Sequence, residues 1–457
     1  MKTASPGAGA ETGLQPRRRH FPPITGGRNR LPTPAVLGIA FAIYLLLSIG
    51  LWWHVWSTHP TGVATCGCDD PGLFTWFLAW PANAIAHGNS VLHSTAIFHP
   101  GGINLLSMTS VLAIGVPLAP VTWLFGPVAT LNVADTLGPV LSALAMFWLL
   151  RRWVSWTPAA FIGGLVYGFS PFVLTAVSVG HLNVAFLFLL PLMIACLDEL
   201  LVRQRRGPVL VGVALGLLVT VEFFVSTEVF VIAAICGVVG LVMLAAYAVI
   251  GHRQDLIARL PHAARGLGAG AVVAVVLLAY PIWFTFAGPA HLSGRVWPNL
   301  TPGAGGISPN GLWHLTFQNR GLVQLLSGYS GPALPVPGYL GLGLLVVLAT
   351  GLVVWRRDRR LWLFGGLGVA TVLLSLGVTT GSWVPWQVLA RIPVVQNALP
   401  ARFMAVATLC AAVMFAVIVD RVRGSGDELV RRTTGARSAG GASVGRRTVL
   451  TGVIASV

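Results

Sequence analysis

Long apolar runs are the feature that most restricts what this chain can fold into. Six of them occupy residues 34–56, 127–150, 159–179, 184–200, 209–228 and 229–250, and others begin near residues 267, 338, 361, 403 and 448. A helix of about 20 residues crosses a bilayer. A soluble fold could not cover so much apolar surface with only 9% charged residues and a mean hydropathy of +0.79. The sequence therefore predicts an all-α polytopic membrane protein of about eleven transmembrane helices.

The two ends of the chain differ from the apolar middle. Residues 1–33 are polar, basic and rich in Gly and Pro, and we expect a disordered cytoplasmic tail. Residues 34–420 are expected to form the transmembrane domain, and residues 421–447 a basic cytoplasmic loop. Residues 448–457 are apolar but too few to span, so they are interpreted as the start of a truncated transmembrane helix.

Basic residues fix the expected direction of insertion, because Lys and Arg in short loops are retained in the cytoplasm. With the N-terminus inside, 25 of the 29 Lys and Arg residues lie on the inner side. The other four are Arg295, Arg320, Arg391 and Arg402. We therefore expect a multi-pass plasma-membrane protein with a cytoplasmic N-terminus. This topology accounts for the net charge of +16, so nucleic acid is not an expected partner.

The first outer loop, residues 57–106, carries Asp69 and Asp70 but no Lys or Arg. Within it, residues 72–87 place an apolar, aromatic face at helical spacing, which predicts a helix lying along the outer membrane surface. That face consists of Leu73, Trp76, Phe77 and Trp80.

The next stretch, residues 107–126, is apolar but interrupted by Pro117 and Pro120. If it crossed the membrane, Arg151 and Arg152 would lie outside and every later loop would invert. We therefore interpret it as a re-entrant or interfacial segment, whose broken backbone neighbouring helices can satisfy.

The 13 acidic residues can all be sorted by location. Three lie within helices and are expected to point inward, because a charge in lipid costs about 3 kcal/mol or more; they are Asp135, Glu222 and Glu228. Eight more lie on the inner side and are expected to be charge partners of basic residues: Glu11, Asp198, Glu199, Asp255, Asp358, Asp420, Asp427 and Glu428. The remaining two are Asp69 and Asp70 in the first outer loop. At this position a lipid-linked substrate would present its reacting group to water.

A carboxylate at that position can act as a general base, accepting the proton of an incoming hydroxyl while a phosphate departs. A single inverting displacement needs only one such group. The departing phosphate needs positive charge aimed at it. Of the four outer arginines, Arg402 is the best placed, at the start of a helix. The alternative for Arg402 is a snorkelling residue at the membrane interface.

The five cysteines do not form a disulfide framework. Cys66 and Cys68 flank one glycine in the first outer loop, whereas the other three lie in apolar runs. The loop also contains His87, His93 and His99, but their spacing matches no metal motif. The sequence leaves a metal requirement open.

Four segments carry a resemblance to a known superfamily. They are residues 70–82 (DPGLFTWFLAWPA), 100–105 (PGGINL), 167–171 (YGFSP, followed by Gly180 and His181) and 399–403 (LPARF). With a first helix that delivers an acid into a long outer loop, and with short basic inner turns, the chain resembles the GT-C glycosyltransferases and their uncharacterised bacterial relatives. The resemblance covers about residues 36–420.

The resemblance implies a polyprenyl-phosphate-linked sugar donor and an envelope glycan, lipid or protein acceptor. It implies Asp70, and after it Asp69, as the catalytic base, with a divalent metal as an optional cofactor. It also implies Arg402, His181 and Glu228 as substrate-binding residues. Two other functions stay open: a transporter or flippase of lipid-linked glycans, and a catalytically silent protein of the same fold.

Overall fold

The computed structural model describes residues 33–64, 69–251, 253–291, 294, 305–307, 312, 338–377, 385–392 and 395–438. Several predictions fall outside these residues. They are the cytoplasmic tail before residue 33, the cysteines Cys66 and Cys68, and the truncated helix at residues 448–457.

About three quarters of the described chain is helical. Its first part contains α1 (Pro34–Leu51), α2 (Trp53–Trp56), α3 (Asp69–His87), α4 (Leu112–Gly115) and α5 (Ala119–Phe125). Its middle part contains α6 (Pro127–Leu150), α7 (Thr157–Gly168), α8 (Pro171–Ser178), α9 (Leu182–Ala185), α10 (Leu189–Leu197), a π-helix (Asp198–Arg203), α11 (Pro208–Val225), α12 (Thr227–Gly251) and α13 (Arg253–Ala287). Its last part contains α14 (Leu342–Val354), α15 (Arg359–Ser375), α16 (Trp386–Leu389), 3₁₀ turns at Val395–Asn397 and Pro400–Phe403, and α17 (Met404–Ser438).

Eight helical segments among the described residues are long and apolar enough to cross a membrane. They are Pro34–Leu51, Pro127–Leu150, Thr157–Ser178, Leu182–Arg203, Pro208–Val225, Thr227–Gly251, Arg253–Ala287 and Pro400–Gly426. Each coincides with a predicted run, which confirms an all-α polytopic membrane protein. The predicted runs near residues 338 and 361 form the shorter α14 and α15. The total of eleven stays a prediction.

Proline marks where many of these helices begin. Pro34, Pro127, Pro171 and Pro208 each occupy the first turn. A proline is favoured there because its fixed φ suits the helix and its missing N–H would have no intrahelical acceptor. Ser170 adds a side-chain cap at α8, accepting from the Val173 N–H. The break between α7 and α8, close to the functional residues described below, is therefore determined by the local sequence.

The centre of the bundle is the helix Pro400–Gly426, of which 83% of the apolar window is buried, compared with 17% for α1. α1 is held against α6 and α7 by polar bonds. The Tyr44 hydroxyl donates to the Phe161 carbonyl at 2.8 Å, and the Ser48 hydroxyl donates to the Thr136 carbonyl at 2.8 Å. Polar groups of this kind cannot find water in lipid, so they pair between helices.

Residues 107–126 contain α4 and α5, which are too short to cross a bilayer. α5 is joined to α6 through Gly126, and the Trp123 indole donates to the Ala82 carbonyl of α3 at 2.9 Å. This stretch thus packs on the helix of the first loop. Its depth in the membrane stays a prediction.

Opposite charges pair at the end of the bundle where the arginine clusters lie. Arg152 contacts Asp198 at 3.3 Å and Glu199 at 2.7 Å. Asp358 lies 2.7 Å from Arg360 and 2.8 Å from Arg421. These contacts confirm that Asp198, Glu199 and Asp358 are charge partners of basic residues.

Asp420 uses its carboxylate differently. Its oxygens accept from the backbone N–H groups of Ser155 and Trp156, and from the Ser155 hydroxyl at 2.9 Å. Asp420 therefore joins α17 to the turn before α7 through hydrogen bonds to the backbone, and its charge also acts on Arg151.

α11 and α13 approach each other through glycines. Gly212 and Gly216 are four residues apart on α11, and Gly266 and Gly270 on α13. A Cβ on Gly212 would lie 2.0 Å from the Gly266 carbonyl oxygen, and one on Gly216 would lie 2.5 Å from that of Gly270. Small residues at this spacing let two backbones meet in a membrane, where van der Waals contact drives association.

Gly212→Ala is expected to destabilise the bundle, because its methyl group has no room against the α13 backbone. Overpacking costs about 1–3 kcal/mol. Thermal unfolding of the purified protein in detergent should show a lower Tm than that of the wild type. Gly268→Ala is the matched control, since a Cβ there would meet nothing within 4 Å. Equal Tm values for the two variants would contradict the close contact.

Candidate active site

α3 carries Asp70 into the bundle. It begins at Asp69, three residues before the predicted start, and ends at His87 as predicted. Phe74 and Phe77 are buried and fix the helix on the protein. The backbone of Asp69 lies in the same first turn, but its side chain is outside the described part of the structure.

The predicted aromatic face of α3 is divided between two surroundings. Phe77 is buried in the protein core, whereas Leu73 is 38% exposed. Trp76 and Trp80 stack on each other at 5.9 Å and are partly buried. Phe77 therefore faces the protein, because α4 and α6 also pack on this helix, and a location of the helix along the membrane surface stays a prediction.

His181 is delivered by the turn that follows α8. Gly180 has a φ of +74°, a left-handed conformation that glycine adopts at little cost. A Cβ at Gly180 would also lie 2.5 Å from Cγ of Pro71. This close approach brings the two chain segments together, and the His181 Nε2 lies 2.6 Å from the Asp70 Oδ2.

Arg402 arrives on the 3₁₀ turn before α17. Its Nη2 donates to the His181 Nδ1 at 3.0 Å, and its Nε lies 3.6 Å from the Glu228 Oε2. The other Glu228 oxygen accepts the Leu399 N–H at 2.8 Å. Glu228, at the start of α12, therefore holds both the backbone of this turn and the arginine.

We call Asp70, His181, Arg402 and Glu228 the polar chain. Their side chains are 46%, 29%, 12% and 14% exposed in that order, so the chain runs from an open carboxylate to a covered one. The structure thus brings together four of the five residues singled out from the sequence. They come from positions up to 332 residues apart, each near a helix terminus at the same end of the bundle.

Hydrogen-bonding chemistry fixes where the protons lie. A guanidinium group only donates, so the His181 Nδ1 accepts from Arg402 and carries no proton. The Nε2 therefore bears the ring proton and donates it to the Asp70 carboxylate. Burial lowers the pKa of His181 below its ordinary value of 6.5, and Arg402 lowers it further, while Asp70 acts in the opposite direction. Burial and Arg402 therefore favour the neutral form of the ring.

The loop after α3 is held by the side-chain amide of Asn104, a residue that was not singled out from the sequence. The Asn104 Nδ2 donates to the Phe284 carbonyl at 2.8 Å, and its Oδ1 accepts from the N–H groups of Leu106 and Ser107. Asn104 also pairs with His93 in the two-residue strands β1 (His93–Ser94) and β2 (Ile103–Asn104). The signal available was a lone Asn in an otherwise apolar PGGINL segment.

A small cavity of about 10 Å³, room for one water molecule, lies at the same end of the bundle. It runs between residues 105–112 and the junction of α11 with α12 at residues 223–227, next to Glu228 of the polar chain. Leucine, methionine and phenylalanine side chains make up most of its wall, with Thr109, Ser110 and Thr227 as polar members. The cavity is too small to hold a hydrocarbon chain.

Asp135 and Glu222 are fully buried, as expected for acids that point inward. Neither belongs to the polar chain. Both carboxylate oxygens of Glu222 lack a hydrogen-bond partner. An isolated ionised carboxylate in such a place is very costly, so a neutral acid is the form that fits.

No protein-family model, curated protein or solved structure matches this chain.

Gly180→Ala is expected to push His181 away from Asp70, because the new methyl group collides with Pro71 as well as adopting an unfavourable φ. Gly88→Ala is the matched control: Gly88 also has a positive φ, +68°, but a Cβ there meets nothing within 4 Å. The left-handed conformation alone costs about 1–2 kcal/mol. Thermal unfolding should therefore show a larger loss of Tm for Gly180→Ala. A loss no greater than that of Gly88→Ala would contradict the contact.

Proposed function

We propose that this chain is a membrane glycosyltransferase of the GT-C type. It transfers a sugar from a polyprenyl-phosphate-linked donor to an envelope glycan, lipid or protein on the outer face of the plasma membrane. The polar chain is the observation that supports this, because its exposed carboxylate, Asp70, is held by three further polar residues. The arginine clusters lie at the other end of the bundle, so the positive-inside rule favours an outer location for Asp70.

The proposed reaction is a single inverting displacement. The acceptor hydroxyl oxygen attacks the anomeric carbon of the donor sugar, and the bond between that carbon and the phosphate oxygen breaks. Its electron pair leaves with the polyprenyl phosphate, and the hydroxyl proton passes to the Asp70 carboxylate. Attack opposite the leaving group inverts the anomeric centre, so one carboxylate suffices. Asp69 is the second candidate for the base.

Basic side chains near Asp70 support a donor that carries a phosphate group. As the GT-C resemblance implies, Arg402, His181 and Glu228 would lie beside the bound donor, and the charge of Arg402 would act on the phosphate without gripping it. Arg391, on the same side, is exposed and can also contribute. The described residues contain no group of three or more His, Cys, Asp and Glu side chains suited to hold a metal ion. A requirement for a divalent metal stays open.

A transporter or flippase of lipid-linked glycans is the second candidate, supported by the burial of Asp135 and Glu222 within long apolar helices. Transport would require these acids to line an alternating pathway. The two functions differ in what Glu222→Gln does. Transport predicts a loss of function in this variant, whereas transfer predicts a functional protein, because Glu222 lies outside the polar chain. A silent protein of the same fold would tolerate Asp70→Asn.

Asp70→Asn is expected to abolish transfer, because the amide cannot accept the hydroxyl proton; a general base contributes about 10²–10⁴-fold to a rate. The measurement is mass spectrometry of envelope glycans and glycolipids from a deletion strain complemented with each variant. Asp70→Asn should reproduce the deletion profile at a normal membrane level of the protein.

Asp255→Asn provides the control, since Asp255 lies in the first turn of α13, away from the polar chain. It should restore the wild-type profile. Full restoration by Asp70→Asn would refute the proposed role of this carboxylate. Loss of the glycans in Asp70→Asn together with a lipid-linked precursor accumulated on the inner leaflet would favour the flippase.

A further inference from the structure

We propose that Arg402 and His181 are positioning residues for Asp70: Arg402 fixes the ring of His181 in one tautomer, and the ring in turn aims its N–H at the Asp70 carboxylate. The inference rests on the proposed function for its catalytic consequence. It deepens that function by giving Arg402 and His181 a task other than gripping the donor phosphate.

The direction of the hydrogen bonds to His181 determines which of its ring nitrogens carries the proton. An imidazole ring has two nitrogens, and without a constraint either one can carry the proton. The Arg402 Nη2, 3.0 Å from Nδ1, is a donor and admits only the form with the proton on Nε2. That proton faces the Asp70 Oδ2 at 2.6 Å. The arginine therefore decides which ring atom meets the carboxylate.

Arg402 itself is held by neighbouring protein groups. Its side chain is only 12% exposed, and its Nε is buried without a hydrogen-bond partner, 3.6 Å from the Glu228 carboxylate. Glu228 is fixed by the Leu399 N–H. A guanidinium that grips a phosphate presents a fork of N–H groups to it. Here Nη2 and Nε point at protein groups, which suits an anchor.

The surroundings of His181 also act on its charge. Among the described residues, the charged groups that face His181 are Asp70 and Arg402, with Glu228 behind the arginine. Burial and the guanidinium both keep the ring neutral. If the ring takes up a second proton, it places an Nδ1–H against Arg402, so two donors face each other and the bond between them is lost. The ring is then no longer fixed by Arg402, so its Nε2–H loses its fixed aim at Asp70.

The variants His181→Gln and His181→Asn distinguish the roles of the two ring nitrogens. Glutamine reaches the place of Nε2 and can donate to Asp70, whereas asparagine reaches only the place of Nδ1. A misplacement of about 1 Å at a reacting group costs on the order of 100-fold in rate. His181→Gln should therefore keep transfer within about tenfold of the wild type, and His181→Asn should lose about 100-fold. The assay uses the purified full chain in micelles, with the polyprenyl-phosphate lipid fraction of its own strain as donor.

The pH profile of transfer tests positioning against a merely structural role. Wild-type transfer should fall on the acid side as His181 becomes protonated, at a pH below 6.5 because the pKa of the ring is lowered. His181→Gln cannot titrate and should lack this acid limb. Arg402→Gln removes a charge that lowers the pKa, so its acid limb should move to higher pH. Equal rates for the two amide variants, or an unchanged limb in His181→Gln, would overturn the proposal.

Nitrogen-15 NMR of histidine-labelled protein tests the same geometry without any transfer reaction. The His181 signals are identified as those missing from His181→Gln. They should show a protonated Nε2 and an unprotonated Nδ1, and Arg402→Gln should shift the titration upward. A proton on Nδ1, or a titration that Arg402→Gln leaves unchanged, would overturn the inference. The expected tautomer in a protein that transfers no sugar would overturn only the glycosyltransferase proposal.

Discussion

Exclusion of polar groups from the bilayer interior is the constraint on which this structure depends. Backbone groups must bond within helices there, and side-chain charges must go to the ends or find partners. The charged side chains of this protein accordingly lie mainly at the two ends of the helix bundle. One end holds ion pairs such as Arg152 with Glu199, and the other holds the polar chain that runs from Asp70 to Glu228. Small residues and inter-helix hydrogen bonds do the packing between these ends.

The polar chain also shows why distant residues meet. Asp70 begins a helix, His181 follows one, and Arg402 stands on the turn before another. Helix termini are where polar side chains and irregular backbone are tolerated at a membrane interface, because water and capping groups can satisfy them. Residues from remote parts of the chain therefore gather at one level of the bundle. Gly180 completes the arrangement by letting its turn reach Pro71.

Helix positions could be predicted from the sequence because hydrophobicity alone decides them. The surroundings of individual side chains could not, because packing decides those. Helix positions followed from apolar length, and α6 begins and ends where it was predicted. The surroundings of the apolar face of α3 could not be predicted. The sequence pattern indicates that Phe77 avoids water, but not whether lipid or protein covers it. Likewise, the backbone N–H groups that bind the Asp420 carboxylate could not be predicted, because the turn opposite to it presents them.

By itself the sequence determined an all-helical, multi-pass membrane protein with scarce acids, since apolar length and charge placement are properties of the linear chain. It also drew attention to Asp70, His181, Arg402 and Glu228, but as separate candidates. Only the tertiary structure decided that they form one hydrogen-bonded and ion-paired chain, and which nitrogen of His181 faces which neighbour. Those facts depend on distances of about 3 Å between residues of different helices, and a distance of that kind has no counterpart in residue spacing along the chain.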